Sequence, residues 1–223
     1  MKAATTGLWI IIPAHNEEKN LGQVIDKCKT YSDNVLVVDD GSTDLTFDIA
    51  KSKCVKVLKH IINLGKGATL KTGCDYALKN NAEQIVLIDA DGQHDPDMIP
   101  FFLEKLKHAD IVFGVRRFNK KMPFIFRFGN SFINFIIQFL FHVRICDSQS
   151  GYRAFWARIY RKIRWQAHDY SMESEMIANV GRNNLRYAQL PISTVYNDKY
   201  KGTTIFDGIK IVYYIIKWRL AKW

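Results

Sequence analysis

The chain has 223 residues, of which 48% are apolar and 24% charged, as in a globular protein of about one domain. This balance excludes a disordered, collagenous or coiled-coil protein. The four cysteines are widely spaced and include no C-x-x-C pair, so we expect reduced thiols rather than a zinc site or a disulfide scaffold. The net charge of +10 is uneven: residues 1–112 sum to −3, and residues 113–223, which hold every arginine, sum to +13. This asymmetry predicts two surfaces with different partners.

The first half of the chain alternates apolar runs with segments of helical periodicity. Buried strands are predicted over residues 8–13, 34–38, 55–59, 84–88 and 110–114. Helices are predicted over 16–31 with Asn16 as N-cap, from the turn after Asp44 to about Lys51, over 68–79, and from Pro96 onward. Strands that alternate with helices predict an α/β fold with a mostly parallel central sheet and helices on both faces.

Three polar clusters each follow a strand of this predicted sheet. They comprise residues 13–18, 39–44 and 89–95. In open α/β sheets, ligands bind beyond the carboxyl ends of the strands. We therefore expect the three clusters to face one crevice.

Two segments of the second half, residues 124–145 and 205–223, are amphipathic. The first carries a polar stripe of Asn130, Asn134 and Gln138, and the second sets cations among aromatic residues. Neither has the uninterrupted apolar length of a membrane span. Two interpretations stay open, namely helices that pack on the core and interfacial helices that lie on an anionic membrane.

Asp89 and Asp91 lie two residues apart at the end of a predicted strand. Neighbouring carboxylates repel unless a cation lies between them, and Mg²⁺ or Mn²⁺ uses such oxygens together with a diphosphate. Gln93 offers a further carbonyl oxygen, whereas the competing interpretation is an acidic surface loop. The chain has no G-x-G-x-x-G after its first strand and no G-x-x-x-x-G-K-[ST], which argues against a dinucleotide oxidoreductase and a P-loop NTPase.

Six short motifs, taken in order, resemble those of glycosyltransferase family 2, inverting enzymes that bind nucleotide-diphospho-sugars. They are IIPAHNEE (11–18), VVDDGSTD (37–44), NLGKG (63–67), DADGQHDP (89–96), GVRR (114–117) and DSQSGYR (147–153). The last motif and the amphipathic second half look most similar to polyprenyl-phosphate sugar transferases, such as dolichyl-phosphate mannose and glucose synthases. The resemblance implies a GT-A type fold in one domain over 1–223. Its nucleotide-sugar-binding half would be 1–114, and its acceptor- and membrane-facing half 115–223.

The resemblance also implies roles for individual positions. The nucleotide-sugar would be bound by Pro13, His15, Glu17, Val38, Asp40, Asp89 and Ala90. Mg²⁺ or Mn²⁺ would be held by Asp89, Asp91 and Gln93. The implied catalytic residues are Asp91, Arg116, Arg153 and Glu175, with Glu173 as the alternative to Glu175. His15 stands where the family often has tyrosine, and Lys199 or Lys201 would replace the family's basic residue before the last helix.

The activity that these roles imply is a metal-dependent, inverting transfer of a hexose from a UDP- or GDP-sugar to dolichyl or undecaprenyl phosphate. A phosphate monoester is already anionic at neutral pH, with a second pKa of about 6, so it needs no general base. Arg116, Arg117 and Arg153 are expected to hold the acceptor phosphate, since guanidinium forks match its oxygens.

Two other activities stay open at this point. A sugar or glycolipid hydroxyl acceptor would need a carboxylate base, for which Glu173 or Glu175 would serve. A basic module that binds nucleic acid or acidic lipid without catalysis is hard to reconcile with the carboxylates near Asp89, and no nucleic-acid partner is expected. The expected location is the cytoplasmic face of a membrane, with attachment either peripheral or through a membrane-anchoring partner.

Overall fold

The computed structural model describes residues 7–116, 124–193 and 205–220. Its strands are β1 (Leu8–Ala14), β2 (Asn34–Asp39), β3 (Lys56–Lys59), β4 (Gln84–Leu87), β5 (Ile111–Arg116), β6 (Arg153–Trp156) and β7 (Tyr187–Ile192). Its helices are α1 (Leu21–Cys28), α2 (Thr46–Ser52), α3 (Lys66–Lys79), α4 (Ile99–Leu106), α5 (Phe124–Phe141), α6 (Tyr160–Ile163), α7 (Met172–Arg182) and α8 (Ile205–Leu220). Short 3₁₀ turns precede α4 and α6, over Pro96–Met98 and Ala157–Ile159.

The strands form one seven-stranded sheet in the order β3-β2-β1-β4-β6-β5-β7. Every pair is parallel except those of β6, which runs antiparallel to both β4 and β5. The five predicted strands and the mostly parallel sheet are confirmed, whereas β6 and β7 were not predicted. The boundary expected at 114/115 falls within β5, and the division into a donor half and an acceptor half stays a prediction.

Both faces of the sheet are covered, which explains the uninterrupted apolar character of β1. Ile11 packs with Leu36 and Val38 on the face that carries α3, α5, α7 and α8. Ile10 and Ile12 point to the other face and pack with residues of α1, α2 and α4. Successive side chains of a strand alternate between faces, so a strand covered on both sides must be apolar at every position.

The first helix begins later than its sequence pattern suggests, which corrects the assignment of Asn16 as an N-cap. Asn16 adopts a left-handed conformation with φ of 55°, which asparagine tolerates better than most residues. Its side-chain oxygen accepts the Thr43 N–H at 2.9 Å, so it connects two loops of the crevice. Helix α1 begins at Leu21, after Asn20.

The two amphipathic helices α5 and α8 pack against each other and against α7. Ile133 and Ile137 of α5 and Ile215 of α8 are buried in the core on this face. Phe135 and Phe139 of α5 stay exposed. Each helix therefore has a core side and an exposed side. The core-packing interpretation is confirmed for the buried side, and contact of the exposed side with a membrane stays a prediction. None of the helices in the described ranges combines the length and the apolar composition of a membrane span.

Candidate active site

The carboxyl ends of β2, β1 and β4 are adjacent, and their polar loops meet at one edge of the sheet. His15 Nδ1 lies 2.9 Å from the Asp40 carbonyl oxygen, which joins the loops after β1 and β2. The loop after β4 reaches the same place, because Gly92 packs against Asn20. The three clusters thus lie together at this edge of the sheet, as the prediction of one shared crevice requires.

A lysine ammonium lies between the loop after β4 and helix α7. Lys66, the first residue of α3, places its Nζ 2.8 Å from Asp89 Oδ1 and 2.9 Å from Glu173 Oε1 of α7. Burial disfavours the charge of Lys66, but the two carboxylates outweigh it and raise the pKa of the ammonium above its usual value. The Tyr170 ring centroid lies 5.7 Å from the same nitrogen. This ion triad joins the loop after β4 and the start of α3 to α7.

Asp89 is enclosed on its other sides as well. Its Oδ2 lies 3.7 Å from His94 Nε2. Burial alone would raise the pKa of Asp89, but the charges of Lys66, His94 and Arg116 hold it below its usual value. A Cβ atom at Gly151 would come within 2.3 Å of Asp89 Oδ2, so only glycine leaves room for the carboxylate here. Asp89 is therefore a fixed anion at the floor of the site.

Asp91 has the opposite electrostatic character. Burial and the neighbouring charge of Asp89 raise the pKa of Asp91 to about 6. The Gln93 main-chain N–H donates to Asp91 Oδ1 at 2.9 Å and orients the carboxylate. Two close carboxylates with an amide beside them are the oxygen donors that Mg²⁺ and Mn²⁺ accept. No cluster of three His, Cys, Asp or Glu side chains is arranged to hold a metal within the described part of the chain. The role of Asp89, Asp91 and Gln93 as metal ligands stays a prediction.

Asp40 is buried and holds a loop. Its Oδ1 lies 2.7 Å from His60 Nδ1 and accepts the Leu64 N–H at 3.0 Å, while its Oδ2 accepts the Gly65 N–H at 2.8 Å. Burial would raise the pKa of Asp40, but these donors keep it below its usual value. Asp40 therefore fixes the segment 60–65 that leads into α3, and the expected contact with the nucleotide stays a prediction.

The remaining positions expected to line the nucleotide pocket differ in exposure. His15 is exposed, and Pro13 and Glu17 are partly exposed at the crevice. The Val38 side chain is fully buried in the core on the α3 face, so only its main chain can face a ligand, and its place in the nucleotide pocket stays a prediction. The Ala90 side chain is buried as well.

Arg116 lies at the end of β5 and is paired with a buried carboxylate. Its Nε donates to Asp147 Oδ2 at 2.7 Å and its Nη2 donates to Asp147 Oδ1 at 3.0 Å. Burial opposes the charge of Asp147, but this two-pronged contact keeps the pKa of Asp147 below its usual value. Arg117 lies outside the described residues, as do Lys199 and Lys201.

Arg153 does not occupy the position expected of a phosphate ligand. Only 1% of the residue is exposed, and its guanidinium donates to the carbonyl oxygens of Ser148, Ser150 and Glu173 at 3.0 to 3.1 Å. Burial lowers the pKa of Arg153 to about 10. These contacts correct the expected role: Arg153 supports the loop before β6 and the start of α7 from inside the core.

The two glutamates of α7 are likewise distinguished by their contacts. Glu175 Oε1 and Oε2 accept the N–H groups of Gln166 and Ala167, both at 2.9 Å. Burial raises the pKa of Glu175, and these two amides oppose the rise. Glu173 is the residue whose carboxylate reaches Lys66. Glu173, the alternative named from the sequence, is thus the glutamate that contacts Lys66, whereas Glu175 binds two main-chain amides, and which of the two lies near a sugar stays a prediction.

Lys66 and His60 are among the residues of the site that had no role assigned from sequence. Lys66 stands between two glycines in the NLGKG motif, and a cation in such a loop after a strand was the available signal. His60 belongs to no motif.

The chain is similar to known proteins along most of its length. The model of the family described as glycosyl transferase family 2 matches residues 9–168. A UDP-N-acetylglucosamine–dolichyl-phosphate N-acetylglucosaminyltransferase from Methanococcus voltae is 32% identical over 96% of this chain and 97% of its own. An undecaprenyl-phosphate mannosyltransferase from Micrococcus luteus is 28% identical over 96% of this chain and 94% of its own.

A solved structure extends the likeness to the fold. Glucosyl-3-phosphoglycerate synthase from Mycobacterium tuberculosis, in complex with Mn²⁺, UDP and phosphoglyceric acid, superimposes with a TM-score of 0.75 at 18% identity. The match covers 96% of this chain and 79% of that one. The mixed, mostly parallel sheet is thus that of the GT-A-like enzymes.

Proposed function

The chain belongs to glycosyl transferase family 2, and from this membership we propose that it transfers a hexose from a UDP- or GDP-sugar to a polyprenyl phosphate. The observation that carries the proposal is the ion triad of Asp89, Lys66 and Glu173 beside the weakly acidic Asp91. It puts anionic and cationic groups at one edge of the sheet, where a nucleotide-diphospho-sugar and an anionic acceptor can meet.

The donor diphosphate would lie at Asp91 and Gln93. Mg²⁺ or Mn²⁺, when bound there, offsets the charge of the departing diphosphate. Asp91 and Gln93 would hold the ion, since Asp91 loses its proton near neutral pH and Gln93 supplies an amide oxygen. Asp89, already fixed by Lys66, would accept a hydrogen bond from a hydroxyl of the ribose or sugar.

The acceptor side needs little acid–base chemistry. A phosphate monoester attacks as an anion, so catalysis rests on alignment of the reactants and on charge stabilisation. Arg116 lies at the end of β5, and two hydrogen bonds to Asp147 keep its guanidinium group in one orientation. We infer that Arg116 faces the acceptor phosphate and that Arg153 supports the intervening loop.

The lipid part of the acceptor would lie along α5 and α8. Phe132, Phe135 and Phe139 of α5 lie on one exposed helix face, and the Phe135 and Phe139 rings are stacked with centroids 6.5 Å apart. Tyr213 and Ile216 add exposed apolar surface on α8. The Methanococcus voltae and Micrococcus luteus relatives are named for dolichyl and undecaprenyl phosphate acceptors, which supports this assignment.

We also infer that this surface binds a membrane peripherally, on its cytoplasmic face, alone or with an anchoring partner. Lys217 and Arg219 of α8 are exposed beside the aromatic residues. Each such cation contributes about 1 kcal/mol at an anionic lipid surface, and apolar side chains add a part that salt does not screen.

A hydroxyl acceptor is the second candidate, because Glu173 is a carboxylate inside the site. Its Oε1 lies 2.9 Å from the Lys66 ammonium. A glutamate that acted as the base would have to leave this partner to take the proton of the hydroxyl, whereas a polyprenyl phosphate needs no base, so the polyprenyl phosphate is the first candidate.

The proposal is tested with a panel of UDP- and GDP-sugars and a short polyprenyl phosphate in detergent, with Mn²⁺ or Mg²⁺. The expected product is a lipid-linked phosphohexose, formed from one donor in clear preference to the others. Asp91→Asn provides the inactive control.

Parallel reactions with the matching polyprenol and with glycolipid acceptors separate the two candidates. Transfer to a hydroxyl but not to the polyprenyl phosphate would refute the proposal, and loss of that transfer in Glu173→Gln would establish the alternative. Full activity in excess EDTA would refute the metal assignment.

A further inference from the structure

His60 lies at the end of β3 with both of its ring nitrogens engaged. Nδ1 is 2.7 Å from Asp40 Oδ1, and Nε2 is 3.0 Å from Thr72 Oγ1 on α3. The His60 main-chain N–H donates to the Asp39 carbonyl at 2.8 Å. Only 11% of the side chain is exposed. The ring therefore has a single orientation, between the end of β2 and the side of α3.

The partner of this histidine, Asp40, is the carboxylate on which the following loop is built. Besides His60, it accepts the N–H groups of Leu64 and Gly65. Gly41, next in the chain, packs on the main chain of the same loop, where a Cβ would come within 2.6 Å of the Ile62 carbonyl carbon. Segment 60–65 is thus held to the end of β2 by several contacts that converge on Asp40.

The loop leads directly to Lys66. Gly65 has a φ of +92°, and a Cβ there would come within 2.5 Å of the His168 carbonyl oxygen. The Gly67 N–H donates to that oxygen at 2.7 Å. The loop is therefore fixed on one side by Asp40 and on the other by the segment before α7. Between these two points lies Lys66, whose ammonium bridges Asp89 and Glu173.

We propose that His60 is a positioning residue of the donor site, which fixes Asp40 and, through it, the loop that delivers Lys66 to Asp89. The proposal rests on the nucleotide-sugar donor proposed above. His60 acts through Asp40 and Lys66, since its ring bonds to Asp40 and Thr72 and not to the triad. Loss of the His60 ring should therefore weaken donor binding and lower kcat, and it should leave KM for the acceptor unchanged.

Two substitutions separate the two contacts of the ring. His60→Leu removes both. His60→Asn keeps an amide nitrogen close to the position of Nδ1 and loses the contact to Thr72, which Thr72→Val removes on its own. A hydrogen bond to a charged group is stronger than one between neutral groups, so His60→Leu should weaken donor binding about tenfold or more. The donor affinity of His60→Asn and of Thr72→Val should stay within about threefold of the wild type.

Binding of UDP and GDP with Mn²⁺ is measured by calorimetry, and kcat and KM for donor and acceptor are measured separately. Ser32→Ala is the matched control for loss of a buried hydrogen bond. Ser32 Oγ donates to the Leu8 carbonyl at 2.7 Å, at the opposite end of the same strands. This variant should lose thermal stability but keep its donor constants.

If His60→Leu binds nucleotide with the affinity of the wild type, the inference about His60 is overturned and the donor proposal is not, whatever the melting temperature of the variant. The inference is equally overturned if His60→Asn binds nucleotide as weakly as His60→Leu does. If His60→Leu does not fold, His60→Asn is compared with the wild type, and a loss of nucleotide affinity well beyond threefold overturns the inference. A wild-type protein that binds neither UDP nor GDP overturns the donor proposal and this inference together. Nucleotide binding without transfer to polyprenyl phosphate overturns only the acceptor assignment.

Discussion

Replacement of Asp91 by asparagine should make the metal-free protein more stable at neutral and alkaline pH. Burial and the charge of Asp89 raise the pKa of Asp91 from 3.8 to about 6, so the ionised form is disfavoured in the folded protein. Asparagine keeps an oxygen that can accept the Gln93 N–H but carries no charge. The substitution should therefore relieve repulsion while it removes the ability to hold a metal.

The direction of the pKa shift fixes the pH dependence. A carboxyl with a raised folded pKa contributes stability that is complete below its unfolded pKa of 3.8 and is lost as the pH rises through about 6. About two pKa units correspond to roughly 3 kcal/mol, an upper limit because the site is partly open to water. For a domain of this length, the melting temperature of Asp91→Asn should exceed that of the wild type by up to about 6 to 12 °C at pH 8.

The assay is thermal unfolding in EDTA at about pH 4, pH 6 and pH 8, followed by circular dichroism. The difference in melting temperature between variant and wild type should be small at the lowest pH, larger at the middle pH and largest at the highest. Glu83→Gln, which neutralises an exposed carboxylate next to the start of β4, is the control and should show no such trend. A variant that is less stable than the wild type at pH 8, or a difference that does not vary with pH, would refute the electrostatic reasoning.

Other perturbations test the roles of single side chains. Glu175→Gln should lower the free energy of unfolding by about 1 to 3 kcal/mol, because one of the two loop amides loses its acceptor; an unchanged urea midpoint would contradict this. Arg153→Met should cost about 3 kcal/mol or more in the same measurement, since three carbonyl oxygens lose a charged donor; a variant that stays stable and loses only acceptor affinity would restore the phosphate role. Combined Phe135→Ser and Phe139→Ser should reduce flotation with anionic vesicles in high salt at an unchanged melting temperature, because both side chains are exposed; undiminished binding would assign lipid contact elsewhere. Affinity for Mn²⁺ with UDP should fall as the pH drops below about 6, since protons compete for Asp91; calorimetry that shows a flat profile would argue against Asp91 as a ligand.

The first half of the fold follows from local signals in the sequence. The run that forms β1 is apolar at nearly every position, and such runs between helical segments define a parallel sheet covered on both faces. The adjacency of the three polar loops then follows from topology alone. The start of α1 could not be predicted in this way, because Asn16 turns away from the helix to bond with Thr43, a residue from another loop.

The second half could not be read from local pattern. Strand β6 has four residues and runs against its neighbours, and its identity depends on pairing with β4 and β5, which lie far away in the chain. The roles of Arg153 and Glu175 depend on the same tertiary packing. A buried arginine and a phosphate-binding arginine are the same letter in a sequence, and only the carbonyl oxygens around Arg153 distinguish them.

The position of β6 has a consequence for the order in which the chain can fold. Strands β1 to β4 come from one continuous stretch and can pair as soon as they leave the ribosome, but the outer edge of β4 stays unpaired until β6 arrives roughly 70 residues later. That edge consists of buried apolar residues such as Ile85 and Val86, so a chain that stops before β6 presents a strand edge open to pairing with other chains. The loop that ends at Gly151 and packs on Asp89 arrives with the same strand. The candidate site therefore gains its Gly151 contact together with the strand that closes the open edge of β4.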